Sequence, residues 1–227
     1  LLYRWEGSSL EQPDWEPKGI AMRVDRSYGE SMKDPEGDET IQAPHVIVRD
    51  GTYHMFYGGS SAEVGGSQIC MATSSDGREF QRYRNASGYS RLFVGPEGTR
   101  DPMVIKVGDL YYCYYTGHDT GRPSPCKIYC RTSSDLIEWS AYKEVSWGGS
   151  GGYGPGSAEC PFVVFLDGFY YLFRTSRYRP PAETHVYRSK DPMDFGLDND
   201  TKKIGTIGVA APEVMQVGDQ YYVSTVE

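Results

Sequence analysis

The sequence predicts an all-β chain built by repetition of one antiparallel unit, a β-propeller. Three observations predict it: a proline-headed apolar run that recurs four times, a glycine turn and tyrosine at fixed distance behind each run, and a Ser-x-Asp signature closing the unit. Self-similarity at a period of about 50 to 60 residues is the mark of stacked sheets such as propeller blades.

Pro44, Pro102, Pro161 and Pro212 open the runs, and Tyr53, Tyr111, Tyr170 and Tyr221 each follow nine residues later. Between them sit Gly51, Gly108, Gly168 and Gly218. His45-Val46-Ile47-Val48, Met103-Val104-Ile105-Lys106, Phe162-Val163-Val164-Phe165 and Val214-Met215-Gln216-Val217 have strand length, so each is the first arm of a hairpin. Third strands are expected at 68–72, 127–131 and 184–188. Behind them come Ser74-Ser75-Asp76 with Phe80, Ser133-Ser134-Asp135 with Trp139, and Ser189-Lys190-Asp191 with Phe195. The expected blades are 41–95, 99–146 and 157–205. Residues 1–21 read as the tail of one blade and 209–227 as the head of another. Head and tail either join to close four blades or belong to separate blades cut from five. Residues 22–40 are polar and acidic, and read as a connecting loop. No linker marks a second domain, so one domain over 1–227 is expected.

Composition narrows the function. Twenty-seven glycines, 14 prolines and 19 tyrosines in 227 residues suit short strands and tight turns. Lys plus Arg number 23 against 31 for Asp plus Glu, a net charge of −8, and no basic run is present to neutralise phosphates. Nucleic acid is therefore not an expected partner. Nor is a membrane, because no apolar run approaches the roughly 20 residues of a helical span. Leu1-Leu2-Tyr3-Arg4-Trp5 lacks the apolar core of a signal peptide, and the chain reads as soluble, with a secreted or periplasmic setting favoured over a cytoplasmic one. Five cysteines cannot all pair, so most are expected as buried thiols. Cys126 and Cys130 have no second pair to complete a tetrahedral zinc site, and neither metal nor cofactor is implied.

Blades of a propeller present the starts of their inner strands around a common axis, so equivalent repeat positions locate a site. Directly before the repeat proline stand Ala43, Asp101, Cys160 and Ala211; one residue earlier stand Gln42, Arg100, Glu159 and Ala210; directly after it stand His45, Met103, Phe162 and Glu213. Strand alternation places His45 and Glu213 in the facing class of Asp101, and Glu159 in the other class unless its strand is irregular. A pair of carboxylates suits glycoside cleavage. Glu159, among Cys160, Pro161 and Phe162, is the candidate proton donor, since burial among apolar groups raises a carboxyl pKa. Asp101 has Arg100 beside it to favour its charged form. The alternative is structural: Asp101 caps a turn and Glu159 is a satisfied inner-strand acid. Tyr57-Gly58-Gly59-Ser60 and Tyr115-Thr116-Gly117-His118 occupy the same post-strand position in their repeats, and Tyr57 and His118 are candidate rim residues for substrate. Arg174, in Arg174-Thr175-Ser176-Arg177-Tyr178-Arg179, either binds sugar hydroxyls or lies in a solvated loop. The run Gly148-Gly149-Ser150-Gly151-Gly152 lacks the Lys-Ser/Thr ending of a phosphate loop and reads as a flexible rim.

Thr99-Arg100-Asp101-Pro102 and Ala158-Glu159-Cys160-Pro161 resemble the Arg-Asp-Pro and Glu-Cys motifs of glycoside hydrolase family 32, the fructosidases, and are similar to the furanosidases of family 43. The resemblance implies a five-bladed propeller with an axial site acting on oligosaccharide or polysaccharide. It gives Glu159 the role of general acid/base, Asp101 that of transition-state stabiliser, and Arg100 the orientation of Asp101. Gln42, His45, Tyr57, His118, Arg174 and Glu213 are the expected substrate-binding residues. The family's third carboxylate, in an Asn-Asp-Pro motif, has no counterpart. Ala43-Pro44-His45 is the nearest echo, and the nucleophile is expected upstream of Leu1, with Glu213 as a geometric substitute. Either the sequence is a fragment or this member binds sugar without cutting it.

Overall fold

The computed structural model describes every residue except 13, 33–38, 62–65, 122–123 and 227. The described residues fall into two compact units, Leu1–Val94 and Gly95–Glu227. The boundary falls one residue before the end of the predicted repeat 41–95.

In the first unit β1 (Leu2–Glu6) pairs with β2 (Glu16–Met22), and β4 (Gln42–Arg49) pairs with β5 (Thr52–Ser61). The sheet continues through β6 (Ser67–Ser74) to β7 (Gln81–Arg82) and β8 (Arg91–Val94), and β3 (Glu30–Ser31) joins the far end of β5. Leu2, Met22, Ile41, Met55, Tyr57, Cys70 and Ala72 form its apolar core, with Phe80 of the Ser-x-Asp signature packed against it. The second unit holds two four-stranded blades and a hairpin. The first blade is β9 (Glu97–Val107), β10 (Leu110–His118), β11 (Cys126–Ser133) and β12 (Lys143–Ser146) in spatial order. The second is β13 (Glu159–Leu166), β14 (Phe169–Arg177), β15 (Glu183–Ser189) and β16 (Lys203–Ile207). The hairpin is β17 (Ala210–Val217) with β18 (Gln220–Val226). Met103, Tyr114, Ile128 and Val145 of one blade bury against Phe162, Val163, Leu172 and Phe195 of the next.

The turns form for readable reasons. At Asp50-Gly51 and Asp167-Gly168 both central residues have positive φ, as a two-residue turn matched to strand twist requires. In the Ser-x-Asp signature the side chains lock the loop. Asp135 Oδ1 accepts the backbone N–H of Ile137 at 2.8 Å and of Glu138 at 2.9 Å, while Ser133 Oγ accepts that of Leu136 at 2.8 Å. Asp76 makes the same contacts, and the N–H groups of Arg78 and Glu79, with the Ser74 hydroxyl, pull its carboxyl pKa down to about 2.

A second recurrence was not predicted. Ala43, Asp101, Cys160 and Ala211 all have left-handed backbone, with φ of 49°, 56°, 46° and 45°. In all four inner strands two residues there oppose one on the partner, as where Glu159 pairs with Thr175 but Phe162 with Phe173. This is a β-bulge with a left-handed first residue, and the repeat proline occupies its second position, where no ladder N–H is needed. The left-handed region costs a non-glycine residue roughly 1–2 kcal/mol. Ala43→Gly is therefore expected to stabilise the chain by about 0.5–1 kcal/mol, after allowing for glycine's greater freedom when unfolded. Urea unfolding checks it, and a loss of stability contradicts it.

Residues 22–40 correct an expectation. They are not simply a polar loop: Met22 is buried, a 3-10 turn forms at Arg26–Tyr28, and Glu30 on β3 is fully buried. Residues 33–38 of this stretch lie outside the described residues. Glu30 accepts hydrogen bonds from Tyr57 Oη at 2.6 Å, Arg82 Nε at 2.8 Å and Nη2 at 2.9 Å, Ser90 Oγ at 3.0 Å and the Asp25 N–H at 2.9 Å. Tyr57 is corrected with it. Its ring is wholly buried and its hydroxyl is committed to Glu30, so it is not a rim residue. Gln42 is exposed at the start of β4, and His45 is half-buried opposite Phe56.

Candidate active site at the inner strands of the second unit

The inner strand β13 lies against both β9 and β17, which brings three bulges side by side. Because the bulge shifts the alternation of each strand, Glu159 is not turned away from Asp101. Both carboxylates meet one guanidinium. Arg100 Nη2 bonds Glu159 Oε1, and Arg100 Nε lies 3.7 Å from Asp101 Oδ2. Asp101 Oδ2 also accepts the backbone N–H of Cys160 at 3.3 Å, so one blade's bulge residue ties down the next.

Arg100 is itself held. Its Nη1 donates to the Gly98 carbonyl at 2.8 Å and its Nη2 approaches Cys126 Sγ at 3.4 Å. Burial opposes its charge, but Glu159, Cys126 and Asp101 outweigh that and raise its pKa. Gly98 has a φ of +68°, and a Cβ there would fall 2.7 Å from His118 Nε2 and 3.2 Å from Arg100 Nη1. Glycine at this position is what lets the arginine and the histidine close around the strand. His118, at the end of β10, is only 7% exposed and its Nδ1 lies 3.1 Å from the Asp119 carbonyl. It is a packed neighbour of Arg100, not the open rim residue expected.

The electrostatics reverse part of the expectation. Asp101 is 8% exposed, and burial raises its pKa even though Arg100 and the Cys160 N–H pull it down. An ionised Asp accepts hydroxyls through both oxygens, and protonation turns one of them into a donor. Ligand affinity is therefore expected to fall, as pH drops, at a higher pH than an ordinary Asp would give, and calorimetric titration across pH 4–7 checks this. Glu159 does not sit in a purely apolar pocket; its carboxylate faces the Arg100 cation.

Arg174 is the clearest correction. It lies opposite the β13 bulge and is fully buried, donating to Ser146 Oγ at 2.9 Å and to the Gly148 carbonyl at 2.8 Å. Its guanidinium stacks 4.6 Å from the Tyr187 ring centroid. It neither meets solvent nor faces an open site. It instead pins the glycine-rich run, where a Cβ on Gly151 would come within 2.4 Å of Arg174 Nη2. That run is anchored throughout: the Gly154 carbonyl accepts the Cys126 N–H at 3.2 Å, the Pro155 carbonyl accepts Cys126 Sγ–H at 2.6 Å, and Tyr153 Oη donates to Asp198 at 2.6 Å. The flexible rim is a fixed wall.

Glu213 stands just past the β17 bulge. Surrounding protein atoms raise its pKa, yet the side chain is solvent-exposed, which limits the rise. Sequence reasoning missed three members of the site: Cys126 and Cys160, and Tyr178, whose hydroxyl is 2.8 Å from Cys160 Sγ. Cys160 directly follows Glu159 and shares the bulge position of Asp101, a signal that was available.

Comparison with known proteins identifies the family and the fold. The model described as glycosyl hydrolases family 32 N-terminal domain matches residues 7–210. A thermostable family-43 glycoside hydrolase superposes with a TM-score of 0.70 at 20% identity, covering 97% of this chain and 74% of that one. The family 32 beta-fructofuranosidase of Bombyx mori gives 0.67 at 18% identity over 97% of this chain and 47% of its own. A curated relative, 1,2-beta-oligomannan phosphorylase of Thermoanaerobacter sp. (strain X514), is 29% identical over 100 residues, 41% of this chain and 34% of that protein. The chain thus spans about a third of the curated relative it matches. The solved structures share its β-propeller fold, as the repeats predicted. With the family model covering nearly the whole sequence, the chain belongs to glycosyl hydrolase family 32, through that family's N-terminal domain.

Proposed function

We propose that this chain cleaves a terminal furanosyl linkage, fructosyl or arabinosyl, in an oligosaccharide or polysaccharide. The observation that carries the reading is the joining of Asp101 and Glu159, from adjacent blades, on Arg100. Glu159, the more open carboxylate, delivers a proton to the departing oxygen as the bond breaks. Asp101 accepts hydroxyls of the sugar, and its negative charge favours the oxocarbenium-like transition state. Arg100 fixes the Asp101 carboxylate and pairs with Glu159. Sugar hydroxyls entering between Arg100 and Glu159 replace that ion pair and turn the Glu159 carboxyl toward the glycosidic oxygen. Glycoside cleavage also needs a nucleophile or base, for which Glu213 is the exposed acid of the neighbouring inner strand.

The same ion pair favours a second reading, a propeller that binds carbohydrate without cutting it. A panel of 4-nitrophenyl α-L-arabinofuranoside, sucrose and a fructan, each with and without inorganic phosphate as acceptor, separates them. Phosphate is included because one relative is named a phosphorylase. Turnover above the buffer rate supports cleavage. Calorimetric binding without turnover supports the binding reading. Neither binding nor turnover across the panel overturns both.

A further inference from the structure

The glycine-rich run presents a serine in a setting that the Glu159 site does not use. Ser150 sits in Gly148-Gly149-Ser150-Gly151-Gly152, a 3-10 turn that follows directly on β12, and its side chain is exposed. Its Oγ lies 3.3 Å from His185 Nδ1. On the other side of the ring, His185 Nε2 lies 2.6 Å from Glu183 Oε1. Glu183 and His185 are two apart on β15, so strand alternation turns both to one face. A nucleophile, a base and a carboxylate that orients the base are thus in line.

The hydrogen bonds set the ring's polarity. Glu183 can only accept, so Nε2 carries the proton and Nδ1 presents its lone pair to the serine hydroxyl. Burial, with the Lys203 and Arg174 charges nearby, lowers the His185 pKa against the pull of Glu183, and the ring is neutral near pH 7. Lys203 Nζ donates to Ser150 Oγ at 2.6 Å, placing a positive charge where an alkoxide would develop. The Ser150 N–H donates to Asp200 at 2.9 Å, and Arg174 holds the Gly148 carbonyl, so the turn is rigid.

We propose that Ser150, His185 and Glu183 form a second site, a serine nucleophile that hydrolyses short-chain carboxylic esters. It shares no residue with the Arg100 cluster and does not depend on the furanosidase reading. Ser150 Oγ attacks the ester carbonyl carbon while its proton passes to His185 Nδ1. The carbon–oxygen bond to the alcohol breaks, and the alcohol oxygen takes the proton back from His185. Water then attacks the acyl-serine, giving one proton to His185. The acyl–Oγ bond breaks, Oγ recovers that proton, and a carboxylic acid leaves. The serine's neighbours are charged and polar, and suit an acetyl-sized acyl group better than a long chain.

The test treats the whole chain with a fluorophosphonate probe and maps the labelled peptide by mass spectrometry, beside an assay of 4-nitrophenyl acetate hydrolysis. The wild-type protein should carry the label on Ser150. Ser150→Ala should lose both label and hydrolysis, and His185→Ala should slow hydrolysis by about 100-fold. Because His185 is buried and its variant could unfold, the wild-type labelling and the exposed Ser150→Ala change decide the matter. Ser150 unlabelled, or hydrolysis undiminished in Ser150→Ala, overturns the proposal. Labelling without turnover of the ester overturns its hydrolytic part.

Discussion

Glu159→Gln is expected to lower furanoside turnover by about 10²–10⁴-fold while sugar affinity stays nearly unchanged. Glutamine keeps the size of the side chain and an oxygen for Arg100, but has no proton to give. The loss should depend on the leaving group. A nitrophenolate departs with little help, so its cleavage should fall least; the alkoxide leaving group of sucrose needs full protonation, so its cleavage should fall most. Comparing kcat/KM for the two substrates reads this directly. Equal losses would point to a disturbed Arg100 instead of a missing acid, because Arg100 would then have only Asp101 as its carboxylate partner.

Glu30→Gln is expected to destabilise the first unit by about 3–5 kcal/mol, the usual consequence of removing one partner from a buried ion pair. Five donor groups converge on this carboxylate, and two belong to the Arg82 guanidinium, which is itself mostly buried. A glutamine amide would turn two further N–H groups toward that cluster of donors and deprive Arg82 of the carboxylate it is hydrogen-bonded to. Urea unfolding followed by tyrosine fluorescence should show a transition at lower denaturant with an unchanged slope. A shift below about 1 kcal/mol, the size of a single ordinary hydrogen bond, would mean that the hub is not a stabilising unit.

Much of the fold was legible because each blade obeys local rules that the sequence states openly. The Asp-Gly turns need positive φ, the apolar runs have strand length, and the Ser-x-Asp loops bond their own backbone. The bulge was not legible. Alanine, aspartate and cysteine are not left-handed signals, and only the recurring proline hinted that each inner strand breaks its ladder there. That break is also why strand alternation separated Glu159 from Asp101 and the structure reunites them. Glu30 was hidden for another reason. A carboxylate in a polar stretch looks solvated, and its burial depends on Arg82 and Ser90, more than 50 residues downstream.

The site divides in the same way. Repeat equivalence picked out Arg100, Asp101 and Glu159, which meet because they stand at the head of inner strands in adjacent blades. It misjudged Tyr57 and Arg174, polar side chains near strand ends that are satisfied from within, by Glu30 in one case and by Ser146 and the Gly148 carbonyl in the other. A sequence shows the donor but not the acceptor that folding brings to it. The glycine-rich run was misjudged for a related reason: glycine permits mobility, but here it admits close neighbours, Arg174 above all.

The central claim is that Asp101 and Glu159 grip a terminal furanosyl unit from two sides, with Arg100 between them. A crystal structure of the Glu159→Gln variant soaked with sucrose or an arabinofuranosyl oligosaccharide tests it most directly. The account predicts a furanose ring whose hydroxyls lie within hydrogen-bond distance of the Asp101 carboxylate, with the glycosidic oxygen facing the side chain at position 159. A sugar ring bound away from both side chains, with the Arg100 contacts to Asp101 and Glu159 undisturbed, would contradict it.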